Sequence, residues 1–347
     1  MKVVYTDVHK LHDPKTSIEQ SAMVPPWEHV GRAEAIRATL AADDRFDFVS
    51  PSSWDTAPIE AVHDPGLVRF LSTAWDEYQE AVGPMADVMP DVFYRPAMRN
   101  AMSPGREPDS INGRLGWWCF ETTTPLTSGT YNAARGAVDT ALTATKFVLE
   151  GARSAYGLCR PPGHHATSTL YGGYCFFNNA AIAAHHVACT TGSKVTVLDV
   201  DYHHGNGTQE IFYSRDDVQY VSLHGDPTRA YPYTVGYADE TGAGRGAGAN
   251  LNLPLAARTN DDAYVDALQQ ARDAIAAFGP SMVIVSLGLD TFITDPICDL
   301  SVTGEGFERS GAIVATLGLP TVVLQEGGYD VAALGDNVRR WLVGLGA

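Results

Sequence analysis

The stretch Lys194-Val-Thr-Val-Leu-Asp-Val-Asp-Tyr-His-His-Gly-Asn-Gly-Thr-Gln209 joins an apolar β-type run to a group of carboxylates and imidazoles. Side chains of an extended segment alternate between its two sides, so Asp199, Asp201 and His203 are expected to face the same way. That face would offer two carboxylates and one imidazole, with neighbours about 7 Å apart along the strand. Such ligands suit a divalent metal ion. The stretch therefore predicts a metal site where a strand ends.

Outside this stretch, apolar β-type runs alternate with helical patterns. Continuous apolar strands interleaved with helices predict an α/β fold with a mostly parallel central sheet of about eight strands, covered on both faces. Ligands of such sheets bind beyond the carboxyl ends of the strands. The candidate strands are residues 2–5, 194–198, 218–221, 282–287 and 321–324, and the candidate helices are residues 32–40, 65–78, 130–149, 178–188, 263–278 and 306–317.

Two further strands are followed by chemically active side chains. Asp290 comes after the run 282–287 and would complete a set of three metal ligands with Asp201 and His203, leaving one position open for water, as in catalytic zinc sites. The alternative for Asp290 is a helix N-cap. Tyr329 follows a Gly-Gly pair that allows close backbone approach, and its hydroxyl would hydrogen-bond a developing oxyanion. The alternative for Tyr329 is a buried structural side chain.

The turn Arg160-Pro-Pro-Gly-His-His165 carries two adjacent histidines. Proline and glycine fix an irregular turn, and histidine is suited to proton transfer near neutral pH. Adjacent histidines on a turn do not easily share one metal ion, but they can face a substrate side by side. We therefore expect His164 and His165 to face a substrate at a site of proton transfer. The alternative is two loop histidines without a role. A further adjacent pair, His185-His186, lies in a helical pattern and is expected on a helix surface.

Composition limits the class of protein. The chain has 347 residues, of which 45% are hydrophobic, and it lacks an apolar stretch of the length that spans a membrane. Five cysteines without Cys-x-x-Cys spacing indicate buried thiols in a reducing cytoplasm and argue against a cysteine-based zinc site. A net charge of −17 argues against nucleic acid as a partner and permits a cationic substrate. An acidic surface kept for solubility is the alternative explanation.

Two segments are predicted to be irregular. Residues 84–127 are rich in proline and show little periodicity, which in a compact protein is typical of a functional loop or a partner surface. Residues 231–248 are rich in glycine and are expected to form a loop near the opening of the site.

Taken together, these motifs resemble the histone-deacetylase-like branch of the arginase–deacetylase superfamily, and within it the bacterial acetylpolyamine amidohydrolases. The resemblance covers nearly all of the chain and implies one deacetylase domain over residues 1–347. The segments that carry it are residues 3–11, 62–66, 158–165, 172–176, 198–209, 223–227 and 326–329.

The resemblance assigns a zinc ion to Asp201, His203 and Asp290. By ligand chemistry alone the same set also accepts Fe²⁺ or Co²⁺. The residues that match the family's catalytic groups are the tandem histidines His164 and His165, their partners Asp199 and Asn206, and the carbonyl-polarising Tyr329. His165 is expected to move the proton of the attacking water and His164 to be the more basic ring, because only His164 has a carboxylate partner.

The resemblance also implies cation sites and a substrate tunnel. The matching residues of a structural potassium site are Asp199, Asp201, His203, Ser222 and Leu223, and those of a second monovalent-cation site are Phe212, Arg215 and Val218. The residues that match the tunnel lining are Gly173, Tyr174 and Tyr231. The family recognises the distal ammonium of its substrate with a carboxylate; here Thr123 occupies the aligned position, and Glu121 lies two residues earlier.

The function implied by the resemblance is hydrolysis of the acetamide of acetylated polyamines, such as acetylputrescine, acetylcadaverine and acetylspermidine, to amine and acetate. The segment 84–127 would form a homodimer interface and narrow the site of a cytoplasmic enzyme without a membrane or nucleic-acid partner. The alternatives are a deacetylase of acetyl-lysine on proteins, an arginase-like ureohydrolase, and an inactive binder of acetylated ligands. The ureohydrolase would need more Asp and His ligands for a second metal ion, and the inactive binder would not need the full set of metal ligands, histidines and tyrosine.

Overall fold

The computed structural model describes residues 1–19, 21–95 and 105–347. The strands are β1 (Lys2–Val4), β2 (Ser17–Glu19), β3 (Ala22–Val24), β4 (Asp47–Val49), β5 (Ser154–Gly157), β6 (Val195–Asp199), β7 (Val218–Gly225), β8 (Asn250–Leu255), β9 (Met282–Leu287) and β10 (Thr321–Gln325). The α-helices are α1 (Val30–Ala41), α2 (Ala57–Glu60), α3 (Pro65–Ala81), α4 (Ile111–Trp118), α5 (Thr130–Leu149), α6 (Asn179–Thr191), α7 (Asn206–Phe212), α8 (Asp261–Phe278), α9 (Gly304–Ala315) and α10 (Val331–Leu345).

Eight of these strands form one parallel sheet in the order β4-β1-β5-β10-β9-β6-β7-β8. The adjacent strands β10, β9, β6 and β7 are buried on both faces, which explains why their sequences read as continuous apolar runs. β2 and β3 form a separate antiparallel hairpin. The single α/β domain with a parallel central sheet flanked by helices is the fold that the sequence predicts.

The helices bury the sheet from both sides. Alanines of α5 and α6 pack on one face with Val197 and Ile284, and small side chains let these two helices lie close to the strands. The other face is covered by α1, α8, α9 and α10, whose apolar side chains surround Trp341. A third cluster lies between α3, α4 and the outer side of α5 and α6.

Local sequence signals fix the ends of several helices. Asp64 caps α3 by accepting a hydrogen bond from the Gly66 N–H at 2.6 Å, and Pro65 occupies the first helical position, where a missing N–H costs nothing. Asn178 caps α6 in the same way, and Gly192 ends that helix in the left-handed conformation at φ 65°. These helices begin and end close to the predicted bounds.

The structure corrects two predictions. The segment 84–127 is not wholly irregular, because Ile111–Trp118 form α4 and bury Ile111 and Leu115; residues 96–104 of this segment lie outside the described residues. The cysteines are not all buried: Cys119, Cys159 and Cys175 are, whereas Cys189 is exposed and Cys298 partly exposed. Cys189 lies near the end of α6, on the side turned away from the sheet. Among the helices that the structure describes, none is long and apolar enough to cross a membrane.

Candidate active site

Four neighbouring strands of the sheet deliver the candidate residues to one edge. The tandem histidines follow β5, the Gly-Gly-Tyr turn follows β10, Asp290 follows β9, and Asp199 to His203 end and follow β6. Because these strands are adjacent and parallel, their carboxyl ends meet at the same edge. The structure therefore brings together groups that are far apart in the sequence.

The three predicted metal ligands converge on a common point. The Nδ1 atom of His203 lies 3.2 Å from Oδ1 of Asp201 and 3.0 Å from Oδ2 of Asp290. Ligand atoms that share one tetrahedral zinc ion stand about 3.3 Å apart, so the observed spacing fits such an ion. Asp290 does not cap a helix; its second oxygen accepts a hydrogen bond from the Tyr202 N–H at 2.8 Å.

The charge at this point also fits a cation. Burial raises the pKa of the Asp290 carboxyl, and the negative charge of Asp201 raises it further, to about 7. Both carboxylates are fully buried, so their mutual repulsion is poorly screened. A divalent cation bound between them would relieve this repulsion.

Two glycines make room for the carboxylates. A Cβ atom on Gly288 would lie 2.0 Å from Oδ2 of Asp201, and one on Gly327 would lie 2.5 Å from Oδ2 of both Asp201 and Asp290. The N–H of Gly327 donates to Oδ2 of Asp201 at 2.8 Å. Any larger residue at either position would displace a ligand oxygen.

The tandem histidines lie side by side beneath the cavity, with ring centroids 4.0 Å apart. Nδ1 of His164 is 3.0 Å from Oδ2 of Asp199, and Nδ1 of His165 is 2.7 Å from Oδ1 of Asn206. Each ring thus has the partner that the resemblance implies. In both cases Nδ1 donates, because a carboxylate and an amide oxygen only accept.

Burial and charge separate the two histidines. Burial lowers the pKa of His164, but the carboxylates of Asp201, Asp199 and Glu326 outweigh burial and raise that pKa to about 10. Burial lowers the pKa of His165 well below its usual range, and the positive charge of His164 lowers it further. The two neighbouring rings therefore differ in basicity in the direction that their partners predict.

Tyr329 lines the same cavity, and Asp295 and Arg32 fix its position. Its N–H donates to Oδ2 of Asp295 at 2.8 Å, and the guanidinium of Arg32 lies 4.7 Å from the centroid of its ring. Burial raises the pKa of Tyr329 well above its usual range, so its hydroxyl stays protonated and can donate a hydrogen bond. Arg32 also donates to the carbonyl of Gly328 at 2.6 Å, which fixes the turn.

A cavity of about 1400 Å³ leads from these groups to the surface. Its described lining includes the predicted residues Glu121, Gly173, Tyr174 and Tyr231. Gly173 adopts a left-handed conformation at φ 59°, and a Cβ atom there would lie 2.4 Å from Cδ2 of His165. The backbone of Gly173 thus passes directly over the catalytic candidate, which no other residue type would permit.

The residues of the predicted cation sites are also close together. Asp199 and Ser222 are register partners on β6 and β7, and Leu223 follows Ser222. Phe212 ends α7 and Val218 begins β7, and the N–H of Arg215 between them donates to the carbonyl of Phe212 at 2.9 Å.

Several residues that build the site do not stand out in the sequence. Glu326 accepts hydrogen bonds from the N–H groups of Gly163 and His164 at 2.6 and 3.2 Å and so supports the histidine turn. A buried ion cluster joins Glu28 to Arg32 and Arg160. The position of Glu326 beside Gly-Gly-Tyr is a signal in the sequence, whereas the contact of Glu28 with Arg160 joins segments that are distant in the chain.

Comparison with known proteins agrees with this geometry. Residues 26–345 match the histone deacetylase domain. The chain is 41% identical to acetylpolyamine amidohydrolase of Mycoplana ramosa, over 99% of both chains. It is 42% identical to acetylpolyamine amidohydrolase 2 of Pseudomonas aeruginosa, over 99% of this chain and 98% of the relative.

Among solved structures, acetylpolyamine aminohydrolase from Burkholderia pseudomallei superposes with a TM-score of 0.93 at 38% identity, covering 100% of this chain and 99% of that one. A match of this extent in sequence and in structure concerns the whole chain rather than one motif. The chain therefore belongs to the histone deacetylase family, in its acetylpolyamine amidohydrolase group, and is a hydrolase that acts on acetylated amines.

Proposed function

We propose that the protein hydrolyses the acetamide of acetylated polyamines to a free amine and acetate, with a divalent metal ion held by Asp201, His203 and Asp290. The observation that carries the proposal is the convergence of these ligand atoms with two differently partnered histidines and a tyrosine at the base of one cavity. Relatives that are about as long as this chain bear the name of this activity.

The bound ion would polarise the acetyl carbonyl and lower the pKa of a bound water. Two carboxylates and one imidazole suit zinc, and Fe²⁺ and Co²⁺ are the alternatives. Metal analysis of the protein purified from its own host would decide among the three. Reconstitution of the chelated protein with each ion would then rank their activities.

His165 is the proposed base. Because its Nδ1–H donates to Asn206, the Nε2 atom of the neutral ring carries a lone pair and can take a proton from water. After the proton transfer, the same Nε2 atom would hold the proton for the departing amine. The amide of Asn206 orients the ring without stabilising its charged form as strongly as a carboxylate would.

His164 and Tyr329 would stabilise the charge that develops on the reacting group. Asp199 favours the charged form of His164, so this ring contributes a fixed positive charge beside the base. The Tyr329 hydroxyl would donate a hydrogen bond to the carbonyl oxygen as it becomes negative. Removal of one such donor typically lowers the rate by about 10² to 10³.

Carboxylates near the opening of the cavity support a cationic substrate. Glu19 and Glu121 both line the cavity. Glu121 is engaged by its own chain, since it accepts hydrogen bonds from the N–H groups of Gly173, at 2.9 Å, and Thr123 and from the Thr124 hydroxyl. Glu19 accepts only side-chain hydroxyls among the described residues, from Tyr174 at 3.2 Å and Ser17 at 3.1 Å.

We propose that Glu19 is better placed than Glu121 to bind the distal ammonium group. Glu19→Gln would raise KM for acetylspermidine about tenfold and leave turnover of a neutral acetamide unchanged, because only the former carries a cation. Glu121→Gln would impair both substrates alike, since it disturbs the turn at Gly173. Equal effects of Glu19→Gln on both substrates would remove Glu19 from recognition.

The substrate itself is tested with the purified, metal-loaded protein. Steady-state kcat/KM would be measured on acetylputrescine, acetylcadaverine, N8-acetylspermidine and an acetyl-lysine peptide. A much higher value on the free polyamines supports the proposal. Equal or better turnover of the peptide would replace it with the deacetylation of acetyl-lysine on proteins.

We further propose a homodimer formed through residues 84–127, a structural potassium ion, and a cytoplasmic location. Exposed Met85 and Val92 in this segment, with Val82 beside it, support an apolar interface. Light scattering would give twice the chain mass of 37.3 kDa for the dimer. Val92→Asp would shift the mass toward that of the monomer. A parent protein with the mass of a monomer would contradict the proposal.

A further inference from the structure

The loop between β7 and β8, residues 226–249 and here called the wall loop, carries two tyrosines of the cavity. The ring centroid of Tyr231 lies 4.9 Å from that of His165 and 6.1 Å from that of His203. Tyr233 lines the opening and is 56% exposed. The position of this loop therefore sets the width of the cavity above the base.

One end of the wall loop is joined to the sheet. The N–H of Asp226 donates to the carbonyl of Leu255 at 3.0 Å, and that of Gly225 donates to Tyr202 at 2.8 Å. The next backbone hydrogen bonds are local, from Arg229 and Ala230 to the carbonyl of Asp226 and from Tyr233 to that of Ala230. The guanidinium of Arg229 also pairs with Asp299, so the loop is held outside itself up to Arg229. The segment that carries the two tyrosines thus depends on a second attachment further along.

The carboxylate of Glu240 provides part of that attachment, beside two hydrogen bonds from β8 to loop carbonyls: Asn252 Nδ2 donates to Tyr237 at 3.1 Å and Asn250 Nδ2 to Glu240 at 2.6 Å. The Oε2 atom of Glu240 accepts hydrogen bonds from Gln209 Nε2 at 2.7 Å, from the Gly236 N–H at 2.8 Å and from Asn252 Nδ2 at 3.3 Å. Gln209 and Asn252 are buried, on α7 and β8. A single carboxylate oxygen therefore joins the wall loop to two elements of the core. Hydrogen bonds to a charged acceptor are stronger than those between neutral groups.

Gln209 is oriented for this role. Its Oε1 atom faces Nε2 of His204 at 3.0 Å and accepts hydrogen bonds from Asn250 and Asn252 at 3.0 and 2.8 Å. Because donors surround Oε1, the amide nitrogen is directed at Glu240. This buried set of side chains takes no part in the chemistry proposed above.

Gly236 fits the loop onto the core at the same place. It has a φ of +104°, and a Cβ atom there would lie 2.9 Å from Cγ of His204 and 3.0 Å from Nε2 of His224. Its carbonyl faces Nε2 of His224 at 2.8 Å. Both the N–H and the carbonyl of Gly236 are thus held, only five residues after Tyr231.

We propose that Glu240 is a positioning residue: by joining Gly236 to Gln209 and Asn252 it keeps Tyr231 against His165 and fixes the substrate wall. This inference rests on the proposed function, because Tyr231 matters to turnover only if substrate occupies the cavity. Loss of the carboxylate would leave the sheet and the metal ligands in place while the wall becomes mobile. Substrate binding would weaken more than the chemical step.

The test compares Glu240→Ala, Glu240→Gln and Asp239→Ala. Asp239 is the matched control, an exposed carboxylate one residue away that makes no side-chain hydrogen bond to the described residues. In Glu240→Ala, amide exchange of residues 231–237 would speed up about tenfold, and KM for the acetylated polyamine would rise about tenfold with kcat within about twofold. Glu240→Gln retains an oxygen that accepts from Gly236 and would stay near the parent, as would Asp239→Ala.

A second pair of variants tests the contact itself. Gln209→Glu would place two carboxylates face to face and release residues 231–237, as Glu240→Ala does. The double variant Gln209→Glu with Glu240→Gln restores one donor and one acceptor and would recover slow exchange. This comparison remains decisive even if Glu240→Ala destabilises the whole protein.

Three results would overturn the inference: unchanged exchange and KM in Glu240→Ala, equal loosening in Asp239→Ala, or no recovery in the double variant. Failure of the proposed function looks different, because the parent protein would then turn over no acetylated polyamine. The exchange measurements would still decide the role of Glu240 in that case, since they need no substrate.

Discussion

A single residue distinguishes the two histidines of the site. Asp199 partners His164 and Asn206 partners His165, with otherwise similar hydrogen-bond geometry. A carboxylate favours a charged ring and an amide does so only weakly, so the amide at position 206 supports the proposed role of His165 as the base.

Asn206→Asp is expected to raise the pKa of His165, because the new carboxylate stabilises the charged ring. A base must be deprotonated to act, so the acidic limb of the profile of kcat/KM against pH would move to higher pH by the same amount. Steady-state rates between pH 5 and pH 9 would measure the shift. An acidic limb at the parent position would mean that another group limits activity there.

His63 is predicted to make the stability of the fold depend on pH. The ring is buried and hydrogen-bonded to Thr167 and Asn178, and burial lowers the pKa of His63 to about 4. The folded state thus prefers the neutral ring. The resulting contribution to the free energy of unfolding is fully present above about pH 6.5 and is lost as the pH falls toward 4. At most about 3 kcal/mol is involved.

Urea unfolding at several pH values would check this. His63→Gln keeps a donor and an acceptor. Its free energy of unfolding would fall less steeply between pH 6.5 and pH 4, with a slope that corresponds to up to one proton fewer taken up on unfolding. Parallel curves for the two proteins would show that His63 does not titrate on unfolding.

The sequence predicts the site residues that follow continuous apolar strands. It does not predict those whose place in the site depends on contacts with distant parts of the chain. Asp201, Asp290 and Tyr329 each follow an apolar run, and the rule that parallel sheets bind ligands at the carboxyl ends of strands brings them together. Glu19 comes from a short hairpin, and nothing near it in the sequence shows that it reaches the cavity. The same holds for Arg32, whose contact with Tyr329 joins the two ends of the chain.

At the scale of elements, the turns after strands determine whether the ligands fit. Gly288 follows β9 and leaves no space for a side chain beside Asp201. Gly288→Ala is expected to displace that carboxylate and to lower metal content and turnover together, with the secondary structure retained.

Elemental analysis and circular dichroism would measure both effects. His165→Ala is the matched comparison: it would lose turnover by about 10² to 10⁴ yet keep its metal ion, because His165 is not a ligand. Full metal content in Gly288→Ala would show that the neighbouring backbone moves to accommodate the methyl group.

Element prediction succeeded where burial was complete. The continuous apolar strands β6, β7, β9 and β10 are recognisable because both faces are buried. The edge strand β4 has a short, mixed sequence with partial burial, and β8 alternates Asn with Leu, so neither carries the apolar signal. The helix α4 was hidden by the prolines around it.

At the scale of the whole molecule, the charge of −17 is expected to matter for binding rather than for folding. The negative charge of the protein would attract a polyamine substrate, and added salt would shorten the distance over which this attraction acts. Between about 0.02 M and about 0.5 M salt, kcat/KM for acetylspermidine would fall several-fold, whereas that for a neutral acetamide would hardly change. Equal salt effects on the two substrates would mean that the acidic surface serves solubility alone.

The carboxylate of Asp201 and the N–H of Gly327 that supports it are 126 positions apart in the chain. In an unfolded chain only Asp201 and His203 of the proposed ligands are neighbours. The complete ligand set would therefore form only after β6, β9 and β10 have paired. Metal capture would be the last event of biosynthesis, and the ion would slow unfolding without speeding folding. A cell short of metal would accumulate folded, inactive enzyme that recovers as soon as the ion returns.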